Sequence, residues 1–230
     1  MTALPKDYQT DPARFAAARE SASRWSTVGD VHPMVAERFE RERLTPVLDM
    51  GCGDGALRMA LPSAWPWIGL DDDEALLRAA GPPGVLAEAT QCPLRHESFG
   101  AVAALWMLYH LDDPGVAIAE AHRALRPGGL FAASTTTRDD SPEFFEFFGP
   151  PDPTSFDAEE APDIVTGVFG SDRVEVIRWD GPFMVLPDPA AVATFLRGRG
   201  ISAGRAREVG AAVTTPFTVT KRGALIWARK

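Results

Sequence analysis

The sequence predicts an α/β fold, a doubly wound and mostly parallel sheet with helices on both faces. Three observations carry this. Short apolar runs alternate with helical stretches over residues 47–135, the pattern of parallel strands joined by crossover helices. A glycine turn, Gly51-Cys52-Gly53-Asp54-Gly55, stands between an apolar run and a helical one. Phe99–Met107 is apolar throughout, as expected of a strand covered on both faces.

The elements follow in order. Residues 11–25 are rich in Ala and Arg behind Asp11-Pro12, a helix start signal. A second helix is expected over His32–Arg43, broken by Leu44-Thr45-Pro46. Val47–Met50 is a strand, Ala56–Leu61 a short helix stopped by Pro62, and Trp65–Leu70 a second strand ending in Asp71-Asp72-Asp73. Glu74–Ala80 is helical, Gly81–Gly84 turns, and Val85–Ala89 is a third strand. After Phe99–Met107, Asp113-Pro114 opens a helix to Leu125. Arg126-Pro127-Gly128-Gly129 closes it before a strand at Leu130–Ser134. The remainder is less regular. A helix is expected at Ala158–Phe169, strands at Arg173–Trp179 and Phe183–Leu186, a helix at Pro189–Arg199, and a strand hairpin over Thr214–Arg229.

The chain has 230 residues and a formal net charge of -9, consistent with one elaborated domain. No run approaches the roughly 18 apolar residues of a membrane span. The start, MTALPKDYQTDPARF, has no apolar h-region and reads as no signal peptide. Two cysteines, Cys52 and Cys92, make neither a disulfide framework nor a zinc cluster. A cytoplasmic enzyme is the expectation, as monomer or homodimer. The acidic balance argues against a nucleic-acid partner.

Glycines after a strand place backbone N–H groups at a helix start, where a ligand can touch the chain. Asp71 lies 20 residues after Gly51, where a carboxylate accepts both hydroxyls of an adenosine ribose. Gly51-x-Gly53-x-x-Ala56 also satisfies the dinucleotide fingerprint, so an NAD-type oxidoreductase competes. The carboxylates Asp49 and Asp54 favour a different ligand. They repel a pyrophosphate but attract a sulfonium and an α-ammonium, so the loop chemistry favours S-adenosylmethionine. Asp71-Asp72-Asp73-Glu74 reads as a ribose carboxylate running into a helix N-terminus, with no metal expected.

The chain resembles the class I S-adenosylmethionine-dependent methyltransferases of the small-molecule subgroup. VLDMGCGDG looks like the family's first motif and IGLDDD like its second. LAEATQCPLRHESFGAVAALWMLYHLDDP looks like its third and fourth, and EAHRALRPGGLFAAS like the segment that follows. The resemblance implies a Rossmann-like, seven-stranded sheet with N-terminal helices and a small cap insertion. It divides the chain into a helical lid (1–45), a cofactor-binding core (47–135), substrate cover and cap (136–220) and a closing strand (221–230). It implies that Asp49 lies near the methionine moiety, that Gly51 and Gly53 offer it backbone contacts, and that Asp71 binds the ribose with Asp72 beside the adenine. Glu88 and Ala89 face the adenine edge, and Leu105 offers a carbonyl to the ammonium. Tyr8 or Arg24 completes the lid. The chain departs from the pattern at Glu88, where many relatives have Asp, and at Gly100, where relatives have Asp after Phe.

Methyl transfer needs acceptor, methyl and sulfur held in line, and a base when the acceptor is an alcohol or phenol. His110 follows the fourth strand, at the edge where open α/β sheets bind ligands, and is the candidate base. It equally fits a pocket-shaping role. Trp106, Tyr109, Phe145 and Phe148 are the other candidate substrate contacts, and Phe183, Met184 and Phe217 belong to the expected cap. His32, His96 and His122 read as surface residues, and Arg14, Arg19 and Arg24 as a solvated helix face. Trp65, Trp67 and Trp227 read as core, and Cys52 as loop filler. A basic strip at Arg197, Arg199, Arg205, Arg207, Lys221 and Arg222 keeps an RNA methyltransferase in contention. A binding module without turnover is the remaining alternative.

Overall fold

The structure, a computed structural model, describes residues 10–230. Two helices, α1 (Pro12–Trp25) and α2 (Val31–Arg41), precede the sheet. The core then alternates β1 (Val47–Met50), α3 (Ala56–Ala60), β2 (Trp67–Asp71), α4 (Glu74–Ala80), β3 (Gly84–Leu86), β4 (Phe99–Leu105), α5 (Pro114–Ala124) and β5 (Leu125–Thr136). After a four-residue helix α6 (Phe145–Phe148) come α7 (Ala161–Phe169), β6 (Val174–Leu186), α8 (Pro189–Gly198), α9 (Ala203–Ala212) and β7 (Phe217–Arg229).

The strands form one sheet of order β3-β2-β1-β4-β5-β7-β6. Strands β1 to β5 run parallel, and β7 lies antiparallel between β5 and β6. The order reverses at β1 and β4, so the carboxyl ends of these neighbours open the crevice where such sheets take ligands. Successive side chains leave a strand on opposite faces, and the two cores obey this. Leu48, Met50, Val102 and Ala104 pack with α5 and α7. Val47, Ala101 and Ala103 pack with α2 and α3. A third cluster, Phe144, Met184, Leu186, Val192, Phe195, Leu196, Val209 and Val219, forms the cap of α8 and α9 on the ends of β6 and β7.

Local chemistry fixes many of the boundaries. Pro stands at the first helical positions of α1, α5 and α8, where its missing N–H costs nothing. Asp11, Asp73, Asp113 and Asp188 cap α1, α4, α5 and α8 by accepting backbone N–H groups. Part of the acidic surplus is thus spent on helix starts.

Several expectations need correction. The expected hairpin at Thr214–Arg229 is one strand, β7, whose partners are β5 and β6. The two strands expected between Arg173 and Leu186 are one, with an irregularity between Gly181 and Met184. The third strand stops at Leu86, and Ala89–Gln91 forms a 3-10 turn. Helix α9 was not expected, because Gly204 and Gly210 interrupt its apolar pattern. Trp67 and Trp227 are buried core residues and Trp65 packs against the same cluster, as expected.

Candidate functional site

One cavity of about 1190 Å³ opens beside the carboxyl ends of β1, β2 and β4. Single ligand sites run to roughly 1,000 Å³, so this space suits two ligands side by side. One end is built by the glycine turn, Asp71–Asp73, Ala87, Ala89 and Leu105. The other is built by residues of the 136–157 segment, β6 and α8. Arg14, Phe15, Ala18, Arg19 and Ala22 of α1 form a wall, at the spacing of one helical face.

The turn after β1 needs its glycines. Gly51, Gly53 and Gly55 all have positive φ, at 67°, 53° and 85°, where L side chains are strained. A Cβ on Gly51 would also sit 2.7 Å from Met107 Cγ. The turn is clamped from β2. Asp71 Oδ2 accepts the Gly53 N–H at 2.8 Å, and Oδ1 accepts the Asp73 N–H at 2.9 Å. A carboxylate has about four lone-pair directions, so two remain for a ligand's hydroxyls. Asp73 turns away to cap α4, while Asp72 lines the cavity.

Asp49 is buried at the end of β1, with the Trp67 indole N–H 3.3 Å from Oδ2. Burial raises its carboxyl to about 7, against the opposing pull of His32 and the Trp67 hydrogen bond. Burial also raises Asp71, against its two backbone hydrogen bonds. Among the described residues, no ion pair neutralises either one. Asp54 behaves differently from expectation: Arg19 Nε lies 3.1 Å from its Oδ2, so its charge is already met. Burial pushes the Cys52 thiol up, holding it protonated, consistent with loop filler.

A pH dependence follows from Asp49. Its carboxyl sits at about 7 in the folded chain against an ordinary 3.8. Between those values the folded chain holds a proton that the unfolded chain has shed. Stability of the ligand-free protein should therefore fall as pH rises from about 4 to about 7. Asp49→Asn should flatten that part of a urea-unfolding profile. An unchanged slope would show that Asp49 is not the buried acid responsible.

Leu105 ends β4, and Trp106 turns the chain with φ of 59°. That left-handed bulky residue is held by three contacts. Its N–H meets Ser134 Oγ at 3.1 Å, its indole N–H meets Asp30 Oδ1 at 3.1 Å, and its ring meets Trp179 edge-on at 6.0 Å. Strain held this firmly clusters at ligand sites. Tyr109 and His110 line the cavity with rings 4.7 Å apart, and His110 is buried. Phe145 and Phe148 line the far end, with Arg205 over the Phe148 ring at 5.7 Å.

Some expected residues are not brought in. Tyr8 lies outside the described residues. Arg24 projects from α1 into solvent, paired with Glu20 at 2.6 Å, off the cavity-facing stripe. Glu88 is exposed and absent from the lining. Its backbone is extended, so it points opposite to its neighbours Ala87 and Ala89, which do line the cavity. Of the expected cap residues, Phe183 and Met184 line the cavity and Phe217 packs into the cap core.

Others were missed. Arg14 is buried and Arg19 paired, so neither belongs to a solvated face. His32 lines the cavity, with Nδ1 2.8 Å from Asp30 Oδ2. Burial works against the Asp30 carboxylate, but His32, Trp106 and the Val31 N–H hold it below its ordinary value. The Asp-x-His spacing at a helix start was the available signal. Of the other two, His96 is exposed, while His122 packs edge-on against Phe169 at 4.9 Å.

The chain has recognisable relatives. Residues 48–133 match the family model of a methyltransferase domain. The chain is 31% identical over 160 residues to the ubiquinone biosynthesis O-methyltransferase of Pseudomonas syringae pv. tomato, covering 60% of this chain and 69% of that one. It is 30% identical over 156 residues to malonyl-[acyl-carrier protein] O-methyltransferase 1 of Coxiella burnetii, covering 63% and 55%. Among solved structures it resembles the [4+2]-cyclase SpnF, with TM-score 0.63 and 17% identity over 100% of this chain and 99% of that one. It also resembles a putative methyltransferase from an antibiotic biosynthesis pathway of Anabaena variabilis, with TM-score 0.61 and 14% identity over 88% and 98%.

Proposed function

Because the chain belongs to the class I S-adenosylmethionine-dependent methyltransferases, we propose that it moves a methyl group to an oxygen or nitrogen of a small molecule. In this reading residues 47–135 hold the cofactor, 1–45 form the lid, 136–220 cover the acceptor, and 221–230 close the sheet. The observation that carries the assignment is the pair of buried carboxylates, Asp49 and Asp71, without a cationic partner among the described residues. An α-ammonium suits Asp49 and a ribose diol suits Asp71. A pyrophosphate beside either would be repelled, which weighs against the dinucleotide reading.

When bound, S-adenosylmethionine supplies the methyl on a cationic sulfur. Gly51 and Gly53 let the backbone approach the methionine moiety. Asp71 and Asp72 hold the ribose and adenine side, Ala89 packs on the adenine edge, and Leu105 offers its carbonyl to the ammonium. Trp106, Tyr109, Phe145 and Phe148 exclude water and position the acceptor, and His110 takes its proton. Alignment of this kind is worth about 7–11 kcal/mol.

The RNA alternative loses its motive in the cap. Arg197 is paired with Asp11 at 2.6 Å, and Arg222 with Asp139 and Asp180 at 2.6 and 2.9 Å. Arg199 and Lys221 turn onto Asp140. No helix among the described residues is long and apolar enough to cross a membrane, and the reading places the enzyme in the cytoplasm. The test is transfer of labelled methyl from S-adenosylmethionine to a panel of hydroxylated and aminated aromatic compounds, with transfer RNA as a parallel acceptor. Label in a small molecule and none in RNA is expected. Label only in RNA overturns the acceptor assignment. Cofactor binding with no transfer to either favours non-transfer chemistry on this fold, since a fold does not fix a reaction.

A further inference from the structure

The far end of the cavity holds a charge arrangement that the methyl transfer itself does not use. Asp140 is buried to 1% side-chain exposure, just after β5. Its Oδ2 receives Arg199 at 2.8 Å from the end of α8, and also Lys221 from β7. Its Oδ1 accepts the Arg222 backbone N–H at 2.8 Å, and Ser141 Oγ donates to Oδ2 at 3.0 Å. One carboxylate thus serves two cations, and Arg199, Lys221 and Asp140 all line the cavity. The other acid facing Lys221 is Glu143. Its Oε1 is taken by the Thr220 N–H and hydroxyl, and it is not among the lining residues. Two cations thus face the cavity around one shared carboxylate, while Glu143 completes the charge balance from behind the wall.

Two further observations point the same way. Thr137 Oγ1 is buried in that wall without a hydrogen-bond partner, and buried polar atoms are rarely left so. The cations also border an apolar surface. Phe195 lies 5.5 Å from Lys221 Nζ and 5.9 Å from Arg199 Cζ, and stacks on Phe144 at 5.5 Å. Phe145 and Phe148 extend this surface. Burial and the neighbouring Arg199 lower Lys221 to about 8, against the pull of Asp140 and Glu143. An added anion relieves that crowding of positive charge.

We propose that the acceptor is an organic acid: a ring-bearing, apolar body packed on Phe144, Phe145, Phe148 and Phe195, with a carboxylate docked between Lys221 and Arg199 and within reach of Thr137. This rests on the transferase reading and names the substrate class at the same site. It makes Lys221 and Arg199 specificity residues, remote from the cofactor end.

The experiment uses the full chain saturated with S-adenosylhomocysteine. Calorimetric titration compares three aryl acids of increasing size, benzoic acid, 6-hydroxy-2-naphthoic acid and 9-anthroic acid, each against its neutral amide. Charge-assisted hydrogen bonds favour the ionised partner, so at least one acid should bind about 10-fold tighter than its amide. Lys221→Gln and Arg199→Gln should each shrink that ratio toward one while S-adenosylhomocysteine affinity holds. Equal binding of every acid and amide, or binding by none of them, overturns the proposal even if neither variant folds. Survival of the preference in both folded variants also overturns it. Failure of S-adenosylhomocysteine itself to bind would instead strike the transferase reading, so the two failures are distinguishable.

Discussion

Asp71→Ala should weaken S-adenosylhomocysteine binding by at least about 100-fold while leaving the fold intact. The Asp71 carboxylate does two things at once. It fastens the glycine turn through the Gly53 N–H at 2.8 Å and the start of α4 through the Asp73 N–H at 2.9 Å. In the proposed complex it also accepts the ribose hydroxyls. Hydrogen bonds to a charged group are worth about 1.5–3 kcal/mol each, and about 1.4 kcal/mol is tenfold in affinity. Losing two of them reaches the stated magnitude. Stability should fall by less, because the Gly53 and Asp73 N–H groups lose their acceptor while the burial that works against this carboxylate is relieved. Affinity by calorimetry and unfolding by urea, measured on the same variant, separate the two. An affinity within threefold of the unaltered chain would remove Asp71 from the cofactor site.

Gly100→Asp should destabilise the protein by at least about 3 kcal/mol, although the motif that this segment resembles has Asp at that place. A Cβ on Gly100 would lie 2.6 Å from Thr45 N, 2.9 Å from Thr45 O and 3.0 Å from Leu44 C. These are backbone atoms of the segment leading from α2 into β1, so no side chain can swing aside. Overpacking alone costs about 1–3 kcal/mol, and desolvation of the new carboxylate adds to it. For a chain of this size the melting temperature should fall by about 6–12 °C. A change under about 2 °C would mean that the 44–45 segment yields readily. The departure from the motif at Gly100 is thus matched by a tight approach of two backbone segments.

The cofactor half was legible because its constraints are local. A glycine turn shows in the residues themselves, since Gly51, Gly53 and Gly55 must take positive φ. Apolar runs between helices show the parallel core. The acceptor half was not legible, because its contacts join residues far apart in the chain. Asp140 meets Arg199 and Lys221 across 59 and 81 positions, so the basic strip looked solvent-facing. Arg19 reaches Asp54 across 35 positions, which removed one of the two carboxylates from the charge argument and left Asp49 to carry it. His32 was read from its helix as a surface residue, but Asp30 draws it to the cavity wall. Glu88 shows the reverse: motif position suggests a ligand contact, and the extended backbone just before the Ala89–Gln91 turn leaves the side chain exposed, outside the cavity lining. Arg24 failed for a related reason, lying off the stripe of α1 that faces the cavity.

The central claim is that Asp49, Asp71 and the glycine turn hold an adenosyl ligand bearing an ammonium, and not a pyrophosphate. Calorimetric titration of the full chain with S-adenosylhomocysteine and, separately, with NAD tests it most directly. Across pH 6 to 8, S-adenosylhomocysteine should bind, more tightly as Asp49 ionises through about 7, with no heat from NAD. Binding of NAD without S-adenosylhomocysteine would contradict the account.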